Sequence, residues 1–265
     1  FYIQREAPFL TLSDRQSFLE SQAYSFALAP SFAKKTNTGL KLALFSRLNR
    51  QGLLEEIERR QSQLANLPGP QQVIAQELRR IIQQLASKDL KQEQRKNLSQ
   101  RKQELEGKLY RLLPELEPRI IEVRQVAKAI PRGGVLVEYQ HYQPFDGTQP
   151  NNEEWGEVRY LAFILKPNGE TEAIDLGLAQ PIEEKIQQAL TASEEALVDA
   201  QDLWDELGDL VVKPLKEAIG DAQTLFISPD AELNRVPFAA LSSPRGDELL
   251  GEAIKIRLLT TGREL

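Results

Sequence analysis

The sequence predicts an α/β chain, α+β overall, with antiparallel long helices over residues 1–131 and a mixed sheet with flanking helices over residues 132–265. Three observations carry this reading. Leu98, Leu105 and Leu112 recur every seven residues, with Leu109 and Leu116 at the added i+4 positions, the stripe of an amphipathic helix packed along a partner. Beyond Arg132, short β-rich runs alternate with helical patterns, as in an α/β layer. Charge changes at the same place, from 22 Lys and Arg against 14 Asp and Glu up to Pro131 to 11 against 25 after it. The turn Pro131-Arg132-Gly133-Gly134 marks the boundary.

In the first half, Leu53, Leu54, Ile57 and Leu64 predict a helix that Pro68-Gly69-Pro70 ends, since proline lacks the ladder donor and restricts the residue before it. A third helix carries Leu78, Ile81, Ile82 and Leu85, and Ser87-Lys88-Asp89 supplies polar caps for the next. A shorter helix opens at Pro118, a first-turn proline, and runs through Ile120, Ile121, Val123 and Val126.

The second half predicts strands at 134–139 and 160–165, then the turn Lys166-Pro167-Asn168-Gly169 and a hairpin partner at 172–176. After Pro181, Ile182, Ile186 and Leu190 mark a helix. A longer one is expected from about Glu194 to Ile219 through Leu197, Trp204, Leu207, Leu210 and Leu215, kinked or split by Pro214. Strands at 224–228 and 254–259 complete the pattern.

Composition sets the limits. With 265 residues, 41% hydrophobic and 27% charged, the chain has the make-up of a folded soluble protein of one large or two modest domains. It has no Cys, no Met and one His, which excludes a thiol nucleophile, a His/Cys zinc site and a disulfide scaffold within these residues. No catalytic residue, metal site or cofactor is assigned, because no Walker A loop, G-x-G-x-x-G or G-x-S-x-G motif occurs. No apolar run is long enough for a membrane helix and no signal sequence is evident, so a cytoplasmic setting and no membrane partner are expected. A chain that starts at Phe1 and lacks Met reads as a segment of a longer polypeptide.

Several residues invite function. His141 shares a strand side with Val135, Val137 and Tyr139 and is favoured as structural. Asp230, Glu232 and Asn234 follow a hydrophobic strand, where open α/β sheets place ligands, and alternate oxygens suit a hard cation. The spacing lacks the Gly and distal Glu of a calcium loop, and turn and capping chemistry is favoured. Glu194, Glu195, Asp199, Asp202, Asp205, Glu206 and Asp209 form a solvated helix face or a docking surface for the basic helices. The basic excess of the first half suggests phosphate binding, but interspersed Glu and the lack of interleaved aromatics argue against a nucleic-acid partner.

Five collinear blocks resemble the CHAT family of caspase-like proteins of the HetF type, often attached to tetratricopeptide repeats. They are Arg132 to Tyr139, Trp155 to Phe163, Ile174 to Gly177, Ile227 to Leu241 and Thr261 to Leu265, the fourth being the most specific through Pro229-Asp230, Leu233-Asn234 and Pro237-Phe238-Ala239-Ala240-Leu241. Ala231 stands where the family usually has Gly, the residue that tolerates positive φ. No 34-residue period is present. The resemblance implies a pseudo-caspase half over 132–265, preceded by a helical region, in a cysteine protease whose His-Cys half lies beyond this chain. It implies three partners: a protein substrate of the parent protease, the missing catalytic half, and a regulatory protein through the helical region. The alternative is a non-catalytic interaction scaffold, a degenerate caspase homologue. If the parent cuts after basic residues, Arg263-Glu264 is a processing site.

Overall fold

A computed structural model describes residues 7–21, 26–66, 68–87, 90–112, 119–150, 153–246 and 248–265. In chain order its helices are α1 (Leu12–Ser21), α2 (Asn37–Arg50), α3 (Leu53–Ala65), α4 (Pro70–Leu85), α5 (Gln92–Leu112), α6 (Val123–Ala129), α7 (Ala179–Glu194), α8 (Ala200–Val211), α9 (Lys216–Ile219) and α10 (Leu250–Ala253). The strands are β1 (Gly134–Tyr142), β2 (Arg159–Leu165), β3 (Thr171–Leu178), β4 (Thr224–Ser228) and β5 (Lys255–Leu258). No helix among the described residues is long and apolar enough to cross a membrane.

The chain forms two compact units, one of residues 1–24 and 52–120, the other of 25–51 and 121–265. This differs from the expected division at 131. Residues 25–51 group with the sheet because Ala43, Leu44 and Leu48 of α2 share a core with Leu136, Leu161, Phe163, Leu165 and Phe226 of the strands. Helix-rich sequence alone gives no sign of which element a helix will cover.

In the first unit, α4 and α5 pack through Ala75, Leu78, Ile81, Leu105, Leu109 and Tyr110, and Arg101 of α5 pairs with Glu77 of α4 at 2.8 Å. Pro70 sits in the first turn of α4, where its missing donor costs nothing. The seven-residue stripe holds only in part, since Leu105 is buried and Leu112 is 49% exposed. A straight helix drifts about 20° per heptad and carries the third leucine off the seam. Leu116, Lys88, Asp89 and Pro118, also part of the expected pattern, lie outside the described residues. Arg15 is fully buried, donating through Nε to the carbonyls of Ala7 and Leu10 at 2.8 and 3.0 Å, and stacked 4.4 Å from the Tyr110 ring centroid. Burial pushes the Tyr110 hydroxyl up to about 12.

In the second unit the strand order is β3-β2-β1-β4-β5, antiparallel across β3, β2 and β1 and parallel across β1, β4 and β5. The expected 160–165 and 172–176 hairpin is present. The three inner strands β1, β2 and β4 bury both sides along most of their length, as apolar runs in a covered sheet require, whereas the edge strands β3 and β5 are half-buried or exposed. Val135, Val137, Tyr139, Tyr160, Ala162, Ile164, Leu225 and Ile227 face α7 and α8 through Ile182, Ile186, Trp204 and Leu207. The opposite side meets α2 and, through Val126 and Ala127, α6. Complete burial of one such side chain stabilises by about 2 kcal/mol. Gly133 takes φ +75 in the turn before β1, and its carbonyl accepts from the backbone N–H groups of Gln223 and Thr224 at 2.7 and 3.2 Å.

Two helix boundaries depart from expectation. The short helix begins at Val123 rather than near Pro118, where the Glu122 N–H donates to Gln125 Oε1 at 2.9 Å. The long helix expected from Glu194 to Ile219 is split at Pro214, as the sequence predicts, and interrupted a second time upstream, which it does not predict. Pro214 lies in a 3-10 turn, Lys213–Leu215, between α8 and α9. Upstream, Ala196 adopts φ +52; its N–H bonds to Ser193 O and that of Leu197 to Ala192 O, at 3.2 and 2.9 Å. These bonds are the 5→2 and 6→1 pair of a Schellman ending, formed here on alanine.

Candidate functional site at the strand ends

The parallel strands β1, β4 and β5 end on one side of the sheet, the position where open α/β sheets place their working loops. Glu138 of β1 and Ser228 of β4 stand opposite each other in register. Glu138 belongs to the side that carries Leu136, by strand alternation, and is fully buried. A buried carboxylate requires a cation and hydrogen-bond donors, and α2 supplies the cation. Arg47 lies among Ala43, Leu44 and Leu48 on the buried face of α2, and its stem is carried into the sheet with them.

The guanidinium uses all three nitrogens. Nε donates to Glu138 Oε2 at 3.0 Å, Nη2 to Ser228 Oγ and Pro229 O at 3.2 and 3.1 Å, and Nη1 pairs with Asp230 Oδ2 at 3.1 Å. Ser228 Oγ in turn donates to Thr260 O at 2.9 Å. The other oxygen of Glu138 accepts from Thr261 Oγ1 at 3.3 Å and from the N–H of Gly262. Gly262 is required here because a Cβ would strike Leu136 Cδ2 and approach Glu138 Oε1 to 3.0 Å. One cation thus ties together α2, the middle of β1, the end of β4 and the loop after β5.

Asp230 has a second task. Its carboxylate accepts from the backbone N–H of His141 at 2.9 Å and of Ala231 at 3.1 Å. Ala231 sits at φ +47, the left-handed conformation for which glycine is suited. Glu232 pairs outward with Arg235 at 2.8 Å, and Asn234 donates to Ala231 O at 3.0 Å. The loop therefore uses Asp230, Glu232 and Asn234 as turn and anchor groups. Among the described residues no group of three or more His, Asp or Glu forms a metal site.

His141 lies on the side of Val135, Val137 and Tyr139. Its ring meets Tyr160 edge-on at 5.2 Å, and Nε2 is 3.4 Å from Glu183. Tyr160 donates to the same carboxylate at 3.1 Å; burial, followed by the charge of Glu183, raises the Tyr160 pKa. The acidic helix face has local cations, with Glu206 against Lys185 and Asp209 against Lys213. Asp202 occupies the first turn of α8, where negative charge opposes the positive helix end. Arg263 is only 8% exposed and donates to Leu48 O at 3.4 Å. The processing-site expectation is thereby corrected, because a protease must reach the side chain before the bond.

Arg47, Glu138, Ser228, Thr261 and Gly262 were not singled out from sequence as a set. One signal was available, the lone charge of Glu138 inside Val135-Leu136-Val137-Glu138-Tyr139. Its partner, 91 residues upstream, was not.

The unit is thus an α/β domain whose strand-end loops are held by a buried ion network. Residues 201–265 match the family model of the CHAT domain. The matched stretch contributes Ser228, Asp230, Thr261 and Gly262 to the network. A search of curated proteins finds no match.

Proposed function

We propose that this chain is the structural and regulatory part of a CHAT caspase-like cysteine protease, with the His-Cys half contributed by other residues of the polypeptide and a protein as its substrate. The observation that supports it most is the network around Arg47, to which the CHAT-matched residues 201–265 contribute Ser228, Asp230, Thr261 and Gly262. It ties the loop after β4 and the loop after β5 to α2 and β1, and the chain has no Cys to act as the thiolate. A thiolate and an imidazole need loops fixed to well under an ångström, and a rigid adjoining sheet supplies that support.

The test is to express the full polypeptide and assay cleavage of a casein panel before and after thiol alkylation. Alkylation-sensitive cleavage, slowed in an Arg47→Met variant that remains folded, is the expected result. The absence of His-Gly and Cys blocks elsewhere in the polypeptide, or cleavage indifferent to alkylation, overturns the reading and leaves a protein-interaction scaffold.

A further inference from the structure

A cleft of about 750 Å³ opens on the sheet-bearing unit between α2, α6 and the β2–β3 turn. Its lining combines two chemistries. Lys41, Arg124 and Lys128 are exposed on its walls, and among the described residues none of the three forms an ion pair. Leu42, 52% exposed, lies with half-buried Phe45 and Val123 in the same lining. Glu122 is the one carboxylate there, leaving the lining with three cations against one anion.

A net positive lining, three cations against one carboxylate, around an exposed leucine is complementary to an acidic segment that carries apolar anchors. A polyanion alone would leave Leu42 uncovered. A nucleic acid would also need aromatic platforms for its bases, and Phe45 is the only aromatic in the lining. We infer that the cleft is a docking site for an amphipathic acidic peptide segment of a partner protein, its apolar residues against Leu42 and Val123 and its carboxylates against Lys41, Arg124 and Lys128. This is the helix-in-groove mode with an electrostatic rim. The inference rests on the cleft and stands apart from the protease reading.

The test uses the full chain and a fluorescein-labelled peptide of about 14 residues, roughly four helical turns, with Leu and Phe at i, i+3, i+4 and i+7 and Glu or Asp elsewhere. Anisotropy should report saturable binding that weakens roughly tenfold in Lys41→Glu/Arg124→Glu and falls as salt rises. Leu42→Ser should weaken it several-fold at unchanged salt dependence. All substituted positions are exposed, and circular dichroism checks that the variants keep the fold. Three results overturn the inference: equal binding by the charge-reversal variant, equal binding of a peptide with Ser at every apolar position, or tighter binding of single-stranded oligothymidine than of the peptide.

Discussion

The Arg47 guanidinium and the Glu138 carboxylate meet at 3.0 Å with side chains 2% and 0% exposed, one from a helix of the N-terminal half and the other from the central strand. Removing one partner of such a pair strands the other in a low-dielectric interior. Arg47→Met is expected to cost about 3–5 kcal/mol, read as a shift in the urea midpoint followed by tryptophan fluorescence. Arg47→Lys retains charge but not the three-way fork and should fall between. A loss below about 1 kcal/mol in Arg47→Met would show that the network is not the anchor described.

Gly262 gives a steric test of the same site. Gly262→Ala places a methyl group against Leu136 and Glu138, and about 1–3 kcal/mol of destabilisation is expected from overpacking. Gly246, where nothing lies within 4 Å of an added Cβ, is the control. Chemical denaturation of Gly262→Ala and Gly246→Ala should separate them clearly; equal midpoints would contradict the close approach.

Ala196 and Ala231 occupy left-handed backbone at φ +52 and +47. An L-residue with a Cβ is disfavoured there by about 1–2 kcal/mol, partly offset by the greater freedom of glycine in the unfolded chain. Ala196→Gly and Ala231→Gly are each expected to gain up to about 1 kcal/mol, visible as a higher melting temperature. A fall in melting temperature for both would refute the strain.

Alkaline stability follows from Tyr139. Its hydroxyl donates to Val211 O at 2.9 Å, and burial raises its pKa above the ordinary 10.0. The folded state keeps a proton that the unfolded chain loses, so this contribution is complete below about pH 10 and is lost as pH rises toward the folded pKa. Each such tyrosine should add a slope of about 1.4 kcal/mol per pH unit. Urea denaturation between pH 8 and 11 should show the decline, with Tyr139→Phe shallower than wild type. An identical slope in the variant would remove Tyr139 as the source.

Most of the sheet was readable because its signals are local. The apolar runs at 134–139, 160–165 and 224–228 sit between turn residues, and Pro167 with Gly169 marks the hairpin. The end of α7 was hidden because alanine occupies the position where glycine would have announced a Schellman stop. The Ala231 conformation was not legible: alanine in place of the glycine usual in the family pattern left the loop open, and only the structure shows that it keeps positive φ. The site was half legible: Asp230 drew attention through its loop, whereas the use of Arg47 as its counter-ion depends on α2 packing over the sheet. That packing is a long-range fact, and periodicity within one helix does not encode which surface it meets.

The sheet also has two histories written into its connections. β1, β2 and β3 follow one another along the chain, so their pairing closes comparatively short loops, while β4 reaches β1 only after the whole α7–α9 excursion. Loop-closure entropy and contact order favour the meander first and the parallel additions last. The β1 edge that receives β4 therefore cannot be completed before residues 224–228 are made, and Glu138 gains its bonds to Thr261 and Gly262 later still.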